Sequence, residues 1–142
     1  KIRIEVMTQS RDLQSLKLAV MDMRTKMRAA QHLSASEFDI KHSEGGIIDV
    51  EFLVQYLVLA HAQKHPQLTE NIGNIALLRM LAKLNIIESD LAEQNVVAYR
   101  EFRHIQHKLK LQGASHLRVA LSEVSNYAVS VSALWQHVFC MP

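Results

Sequence analysis

Between Ile47 and Ala60 the chain is apolar at every position except Asp49, Glu51 and Gln55. A segment that is hydrophobic nearly all round belongs in the middle of a protein, as a central helix against which others pack. The neighbouring patterns differ. From about Arg11 to His32, Leu13, Leu16, Val20, Met23 and Met27 recur at three- and four-residue steps, which predicts an amphipathic helix. Arg24, Lys26 and Arg28 are then expected on its outer face, near the end where cations complement the helix dipole. Ser34 to Glu37 has the form of a capping box, yet Glu37 to Lys41 reads as irregular or a short bridge.

The central helix starts after Gly45-Gly46 and runs to about His65, where Pro66 stops it. Thr69 to Asn74 is a turn-rich connection. Ile75, Leu78, Leu81 and Leu84 predict a shorter helix ending near Asn85. A further helix starts with Asp90 as cap and Glu93 reaching back, then passes through Val97, Phe102, Ile105 and Leu109 to a C-cap at Gly113. After the link from Ala114 to Leu117, a last helix from about Ser122 to Phe139 buries Val124, Val131, Leu134 and Val138. The fold class expected is all-α, a bundle of about five helices. At the start, Ile2, Ile4 and Val6 alternate with Lys1, Arg3 and Glu5, as in a half-exposed strand. With nothing to pair with, residues 1–9 are expected to be the end of a preceding domain or a linker, and 10–142 the helical domain. The chain is then expected to begin inside a longer protein.

Composition agrees with this picture. The 142 residues are 49% hydrophobic and 21% charged, with only 4 Gly and 2 Pro, so long helices and short loops are the natural outcome. A formal net charge of +2 does not argue for nucleic acid. The single cysteine, Cys140, excludes an internal disulfide and fits a reducing cytoplasm. No apolar run reaches the roughly 18 residues of a membrane span.

The candidate chemistry centres on the polar residues of the buried segment. Helix geometry puts Glu51 and Gln55 about 40° apart and Asp49 nearly opposite, so the two carboxylates cannot chelate one metal. Asp49 either caps the helix start or belongs to a site; Glu51 and Gln55 either bond a neighbouring element or line one. Gly45-Gly46 would let a backbone approach a phosphate, but it equally suits any tight turn, and it matches no nucleotide-binding signature. Lys41 suits a phosphate contact or an ion pair with Asp39 or Glu44. Arg100, Arg103 or His104, His107 and Lys108 form a basic stripe, either a solvated face or a docking surface for an acidic partner. His61 with His65, and His104 with His107, have helical metal-ligand spacing but no third ligand, so no metal site is assigned.

Asp39-x-Lys41, Gly45-Gly46-Ile47-x-Asp49-x-Glu51-Phe52-x-x-Gln55 and Leu57-x-Leu59 resemble the helical domain of the glutamine synthetase adenylyltransferase family. The resemblance extends back to Met21-x-Met23-Arg24-x-x-Met27 and forward through His65-Pro66-x-Leu68-Thr69, Asn74-Ile75-x-Leu77-Leu78 and Leu109-x-Leu111-Gln112-Gly113. It implies a bifunctional enzyme in which each half is a nucleotidyltransferase domain followed by a helical domain. One half transfers AMP from ATP to a tyrosine of glutamine synthetase; the other removes it by phosphorolysis, under the control of glutamine and the PII signalling protein. Phe52 to Leu57, His65-Pro66 and Ala133-Leu134-Trp135 are more similar to the C-terminal, adenylylating half. The resemblance also implies ATP and Mg²⁺ as cofactors, bound mainly by the neighbouring domain, because the family's Gly-Ser and Asp-x-Asp motif is missing here. Ser43-Glu44 stands where the family often has a Gly-Pro-like pair. The fragment alone is therefore expected to be inactive. Asp39, Lys41, Gly45, Gly46, Asp49, Glu51 and Gln55 are the implied cleft residues, with Lys41 and the glycine N–H groups on the nucleotide side. Arg100, Arg103, His107 and Lys108 are the candidate contacts to glutamine synthetase or PII. The same domain from the deadenylylating half, a related uridylyltransferase, and a non-catalytic docking module are the alternatives.

Overall fold

A computed structural model describes residues 13–29 and 35–140. The predicted N-terminal strand and the Ser34 end of the capping box lie outside the described residues. The order is α1 (Leu13–Ala29), β1 (Glu37–Asp39), α2 (Ile47–His61), a 3-10 turn (Pro66–Thr69), α3 (Asn74–Lys83), α4 (Ser89–Leu111), β2 (Arg118–Ala120), α5 (Leu121–Trp135) and a π turn (Gln136–Cys140). Among the described residues five α-helices make the all-α bundle that the periodicity predicts.

Apolar content makes α2 the centre. Ile47, Ile48, Val50, Leu53, Val54, Tyr56, Leu57 and Val58 are all buried. Around it pack α1, α3, α4 and α5. A stack of Phe38 on Phe102, with ring centroids 5.6 Å apart, joins β1 to α4. Buried Asn95 ties α4 to α5, its side-chain amide donating to the carbonyls of Leu91 at 2.9 Å and Ser130 at 3.1 Å.

Local chemistry explains the helix ends. Asn85, at φ 61°, and Gly113, at φ 73°, take the left-handed conformation one residue beyond the C-caps of α3 and α4. In each, two consecutive N–H groups turn back into the last turn. Asn85 donates to Ala82 and Ile86 to Leu81; Gly113 donates to Lys110 and Ala114 to Leu109. Both are Schellman closures. The expected capping pair at the start of α4 is not made. The cap position is Glu88, Asp90 lies inside the first turn, and Glu93 pairs with Arg79 on α3 at 2.8 Å.

Three register expectations need correction. On α1, Leu13 and Met23 are exposed and Arg24 is fully buried, so the apolar stripe runs through the arginine rather than past it. On α4, Val97 is exposed while Val96 is buried. On α2, Gln55 is exposed, so this helix keeps one solvent edge.

The two short strands fix the chain between β1 and α2. They pair antiparallel, Glu37 with Ala120, Phe38 with Val119 and Asp39 with Arg118. The Ile40 N–H adds a 2.8 Å bond to the Leu117 carbonyl. One side of the loop from Ile40 to Gly46 is therefore clamped to the α4–α5 connection.

Candidate functional site

The loop between β1 and α2 is built almost entirely from its own polar groups. The Asp39 carboxylate accepts hydrogen bonds from the Lys41 and His42 N–H groups, both at 2.9 Å. This Asx turn bends the chain immediately after β1. The Ser43 hydroxyl accepts from the Asp39 N–H at 2.8 Å. The Ile47 N–H donates to the Ile40 carbonyl at 2.9 Å and the Ile48 N–H to the Lys41 carbonyl at 3.1 Å, so loop carbonyls cap the first turn of α2. The N–H groups of Ile47 and Ile48, which a helix start leaves free, are here satisfied by backbone.

Beneath the loop lies a buried ion pair. Arg24 of α1 and Asp49 of α2 are 0% and 1% exposed, and the Arg24 Nε donates directly to the Asp49 carboxylate. The Arg24 Nη2 donates to the carbonyl of His42 at 2.6 Å and, more weakly, to that of Ser43 at 3.3 Å. The second Asp49 oxygen accepts from the Gly45 N–H at 2.7 Å. One guanidinium and one carboxylate thus hold His42, Ser43 and Gly45 of the loop. Arg28, a turn further on, pairs with Glu44 at 3.0 Å and lies 5.8 Å from the Trp135 ring of α5.

The glycines are there for space. Gly45 has φ 86°, and a Cβ on it would lie 2.7 Å from the Ala128 carbonyl oxygen of α5. A Cβ on Gly46 would lie 2.7 Å from the Ile40 carbonyl oxygen. Their N–H groups are already taken, Gly45 by Asp49 and Gly46 by the Ser43 carbonyl at 2.9 Å. In this conformation neither is available to a phosphate, contrary to the expectation of a nucleotide-facing glycine pair. Asp49, too, is committed to Arg24 rather than open to a ligand.

Lys41 and Glu51 have a different environment. Lys41 is exposed on the outer lip of the loop and Glu51 half-buried on the face of α2 away from Asp49. Together with Arg103, His107 and Lys110 of α4 they line a cleft of about 350 Å³. Ile47 and the buried amide of Gln106 complete its wall. Three permanent cations therefore share the cleft with one carboxylate.

The predicted basic stripe divides at this point. Arg103 and His107 face the cleft; Lys108 and Arg100, both exposed, do not line it. Lys110 is not among the residues expected from sequence, although its i, i+3 and i, i+7 spacing from His107 and Arg103 puts it on the same helical face. Arg24 escapes sequence reasoning despite a clearer signal. It stands four residues after Val20 and three before Met27, inside the apolar stripe, where an arginine needs a buried anionic partner.

Of the histidines, His61 has its pKa lowered by burial first and by the nearby charges of His65 and Lys64 second. Among the described residues no three His, Cys, Asp or Glu side chains gather as metal ligands. Among them, too, no helix is long and apolar enough to cross a membrane.

Known proteins share this stretch. The family model described as GlnD PII-uridylyltransferase matches residues 14–119. The chain is 46% identical over 139 residues to a bifunctional glutamine synthetase adenylyltransferase/adenylyl-removing enzyme of Aromatoleum aromaticum. It is 42% identical over 153 residues to the protein so named in Nitrosomonas eutropha, and 41% identical over 138 residues to that of Burkholderia mallei. The Aromatoleum alignment covers 98% of this chain but 15% of the relative.

Proposed function

Since the chain belongs to the family of the GlnD PII-uridylyltransferase and the bifunctional glutamine synthetase adenylyltransferases, we propose that it serves as a wall of the cleft where AMP is transferred to glutamine synthetase. The observation that carries this reading is the cleft of Lys41, Glu51, Arg103, His107 and Lys110, beside a loop held by buried Arg24 and Asp49. In adenylyl transfer a tyrosine phenolate oxygen of the substrate protein attacks the α-phosphorus of ATP. A P–O bond forms, the bond to the bridging oxygen breaks, and pyrophosphate leaves. Fixed cations in a shielded groove help such a reaction by holding phosphate charge and limiting water.

The residues present do not make a magnesium site. Mg²⁺ takes near-octahedral oxygen ligands, commonly with one or two carboxylates free to bind it. Here Asp49 is held by Arg24, Asp39 is occupied by backbone N–H groups, and among the described residues Glu51 is the one carboxylate on the cleft. The metal carboxylates belong in a neighbouring nucleotidyltransferase domain. Lys41 supplies positive charge on the lip. Glu51 orients Lys41 or a hydroxyl donor of the substrate. Arg24 and Asp49 position Lys41 by fixing its loop.

This reading places the protein in nitrogen regulation in the cytoplasm, with glutamine synthetase as substrate and PII as a regulator. The description of the matching family model favours a uridylyltransferase as the second reading, whereas the 41–46% identical relatives favour adenylyl transfer. The test is adenylylation of glutamine synthetase by the full-length enzyme carrying Lys41→Ala or Glu51→Gln. Lower kcat/KM with ATP is expected for both, and unchanged kinetics in both variants would overturn the reading. Reversing charge at Arg100 and Lys108 in a pulldown tests the docking alternative separately: it loses glutamine synthetase or PII only if that face is an interface.

A further inference from the structure

We propose that the cleft between the Ile40–Gly46 loop and α4 is itself a binding site for a compact phosphate-bearing polyanion, with Lys41, Arg103 and Lys110 as its cationic contacts and a ring N–H of His107 as a further donor. This deepens the wall reading and rests on it only for the source of the phosphates, a nucleotide.

The cations come from two elements that the fold brings face to face. Lys41 rides on a loop fixed from below by the Arg24–Asp49 pair and from the side by the pairing of β1 with β2. Arg103, His107 and Lys110 stand at i, i+4 and i+7 on one face of a 23-residue helix. Among the described residues none of the three permanent cations has an ion-pair partner; the ion pairs found there involve Arg24, Lys26, Arg28 and Arg79. Three positive charges against Glu51 leave the cleft with an excess of two, matching a multivalent anion better than a single carboxylate. The start of α2, a 15-residue helix whose first residue Ile47 lines the same cleft, adds a positive field.

Shape favours a small ligand over an acidic protein surface. The volume, about 350 Å³, lies at the lower end of small-molecule sites. A docking face for a protein would use the outward-facing charges of α4 as well, yet Lys108 is outside the cleft and complements the helix end. The planar fork of Arg103 suits two phosphate oxygens at once, while Lys41 and Lys110 act as point charges.

The test is a titration of the 142-residue chain at low salt with tripolyphosphate, ATP and poly-glutamate, followed by amide and His107 ring shifts. Tripolyphosphate and ATP should bind competitively and shift signals around Lys41, His107 and Lys110. Arg103→Ala or Lys110→Ala should weaken binding about tenfold or more, as expected for a lost charge-assisted contact, while Lys108→Ala should not. These are surface changes, and unaltered far-UV circular dichroism confirms that the variants are folded. No binding of tripolyphosphate would overturn the proposal, as would tighter binding of poly-glutamate or an equal loss in Lys108→Ala. ATP binding without tripolyphosphate binding would also overturn it, because the base rather than the phosphates would then be recognised. The two readings separate cleanly. Normal adenylylation in full-length Lys110→Ala and Lys41→Ala with lost anion binding would sink the wall reading alone, whereas impaired adenylylation without anion binding would sink this one alone.

Discussion

Asp49→Ala removes the carboxylate that neutralises a fully buried guanidinium. Arg24 is 0% exposed, and its Nη1 has no acceptor among the described residues, so the variant leaves a buried charge without its carboxylate. Breaking one partner of such a pair costs about 3–5 kcal/mol. The Gly45 N–H loses its acceptor as well. Against a total stability of about 5–15 kcal/mol for a domain, the variant should be severely weakened, with a urea midpoint lower by roughly 2 M for an m-value of about 2 kcal/mol per M. Replacing both partners, Arg24→Met with Asp49→Leu, should cost less than Asp49→Ala alone, because no buried charge remains. It should not be free, since the His42 carbonyl and the Gly45 N–H then go unpaired, at about 1–3 kcal/mol each. Urea unfolding of Arg24→Met, Asp49→Leu and the double variant carrying both gives the coupling energy. A loss under about 1 kcal/mol in Asp49→Ala, or additivity within about 0.5 kcal/mol across the cycle, would refute the ion pair as the clamp on the loop.

Other consequences are smaller or more local. Gly45→Ala should cost the about 1–2 kcal/mol left-handed penalty plus an overlap with the Ala128 carbonyl, whereas Gly113→Ala, with open space around it, carries the penalty alone; chemical denaturation of the pair should rank them in that order, and equal losses would contradict the close approach. Phe102→Ala, at a fully buried ring stacked on Phe38, should cost about 3–5 kcal/mol and loosen the β1 anchor, visible as faster amide exchange at Ile40. The lowered pKa of His61 means that its folded state resists protonation. Its contribution to stability is present above the unfolded value near 6.5 and is lost as pH falls through the lower folded value. Urea midpoints at about pH 7.5 and about pH 5, on either side of that range, should therefore differ less in His61→Gln than in the parent, and identical differences would remove His61 as the cause.

Much of the fold is legible because α2 is apolar nearly all round and its neighbours are amphipathic, so one buried helix and four partners follow from periodicity. The ends are legible where a turn residue forces them, at Asn85 and Gly113, and misleading where a side chain has two options, as with Asp90 and Glu93. A one-residue error in choosing the buried face hides Arg24: Met23 has the look of the core residue, and an arginine beside it the look of surface. That choice decides how the site is understood. Asp49 is buried for the sake of Arg24, a partner 25 positions away, and no local pattern displays it. The opposition of Asp49 and Glu51 is legible from helix geometry alone, and the structure assigns the two residues to the clamp and the cleft respectively. The glycine pair is ambiguous in sequence because tight packing and ligand approach demand the same residue.

The most direct test of the proposed function is an assay of glutamine synthetase adenylylation by the full-length protein, with the cleft and the outer face of α4 altered in parallel. Lys41→Ala and Arg103→Ala should each lower kcat/KM for ATP by about tenfold or more, the worth of one charge-assisted contact, while Lys108→Ala stays at the parent value. Equal rates in all three would contradict the claim that this cleft forms part of the transfer site.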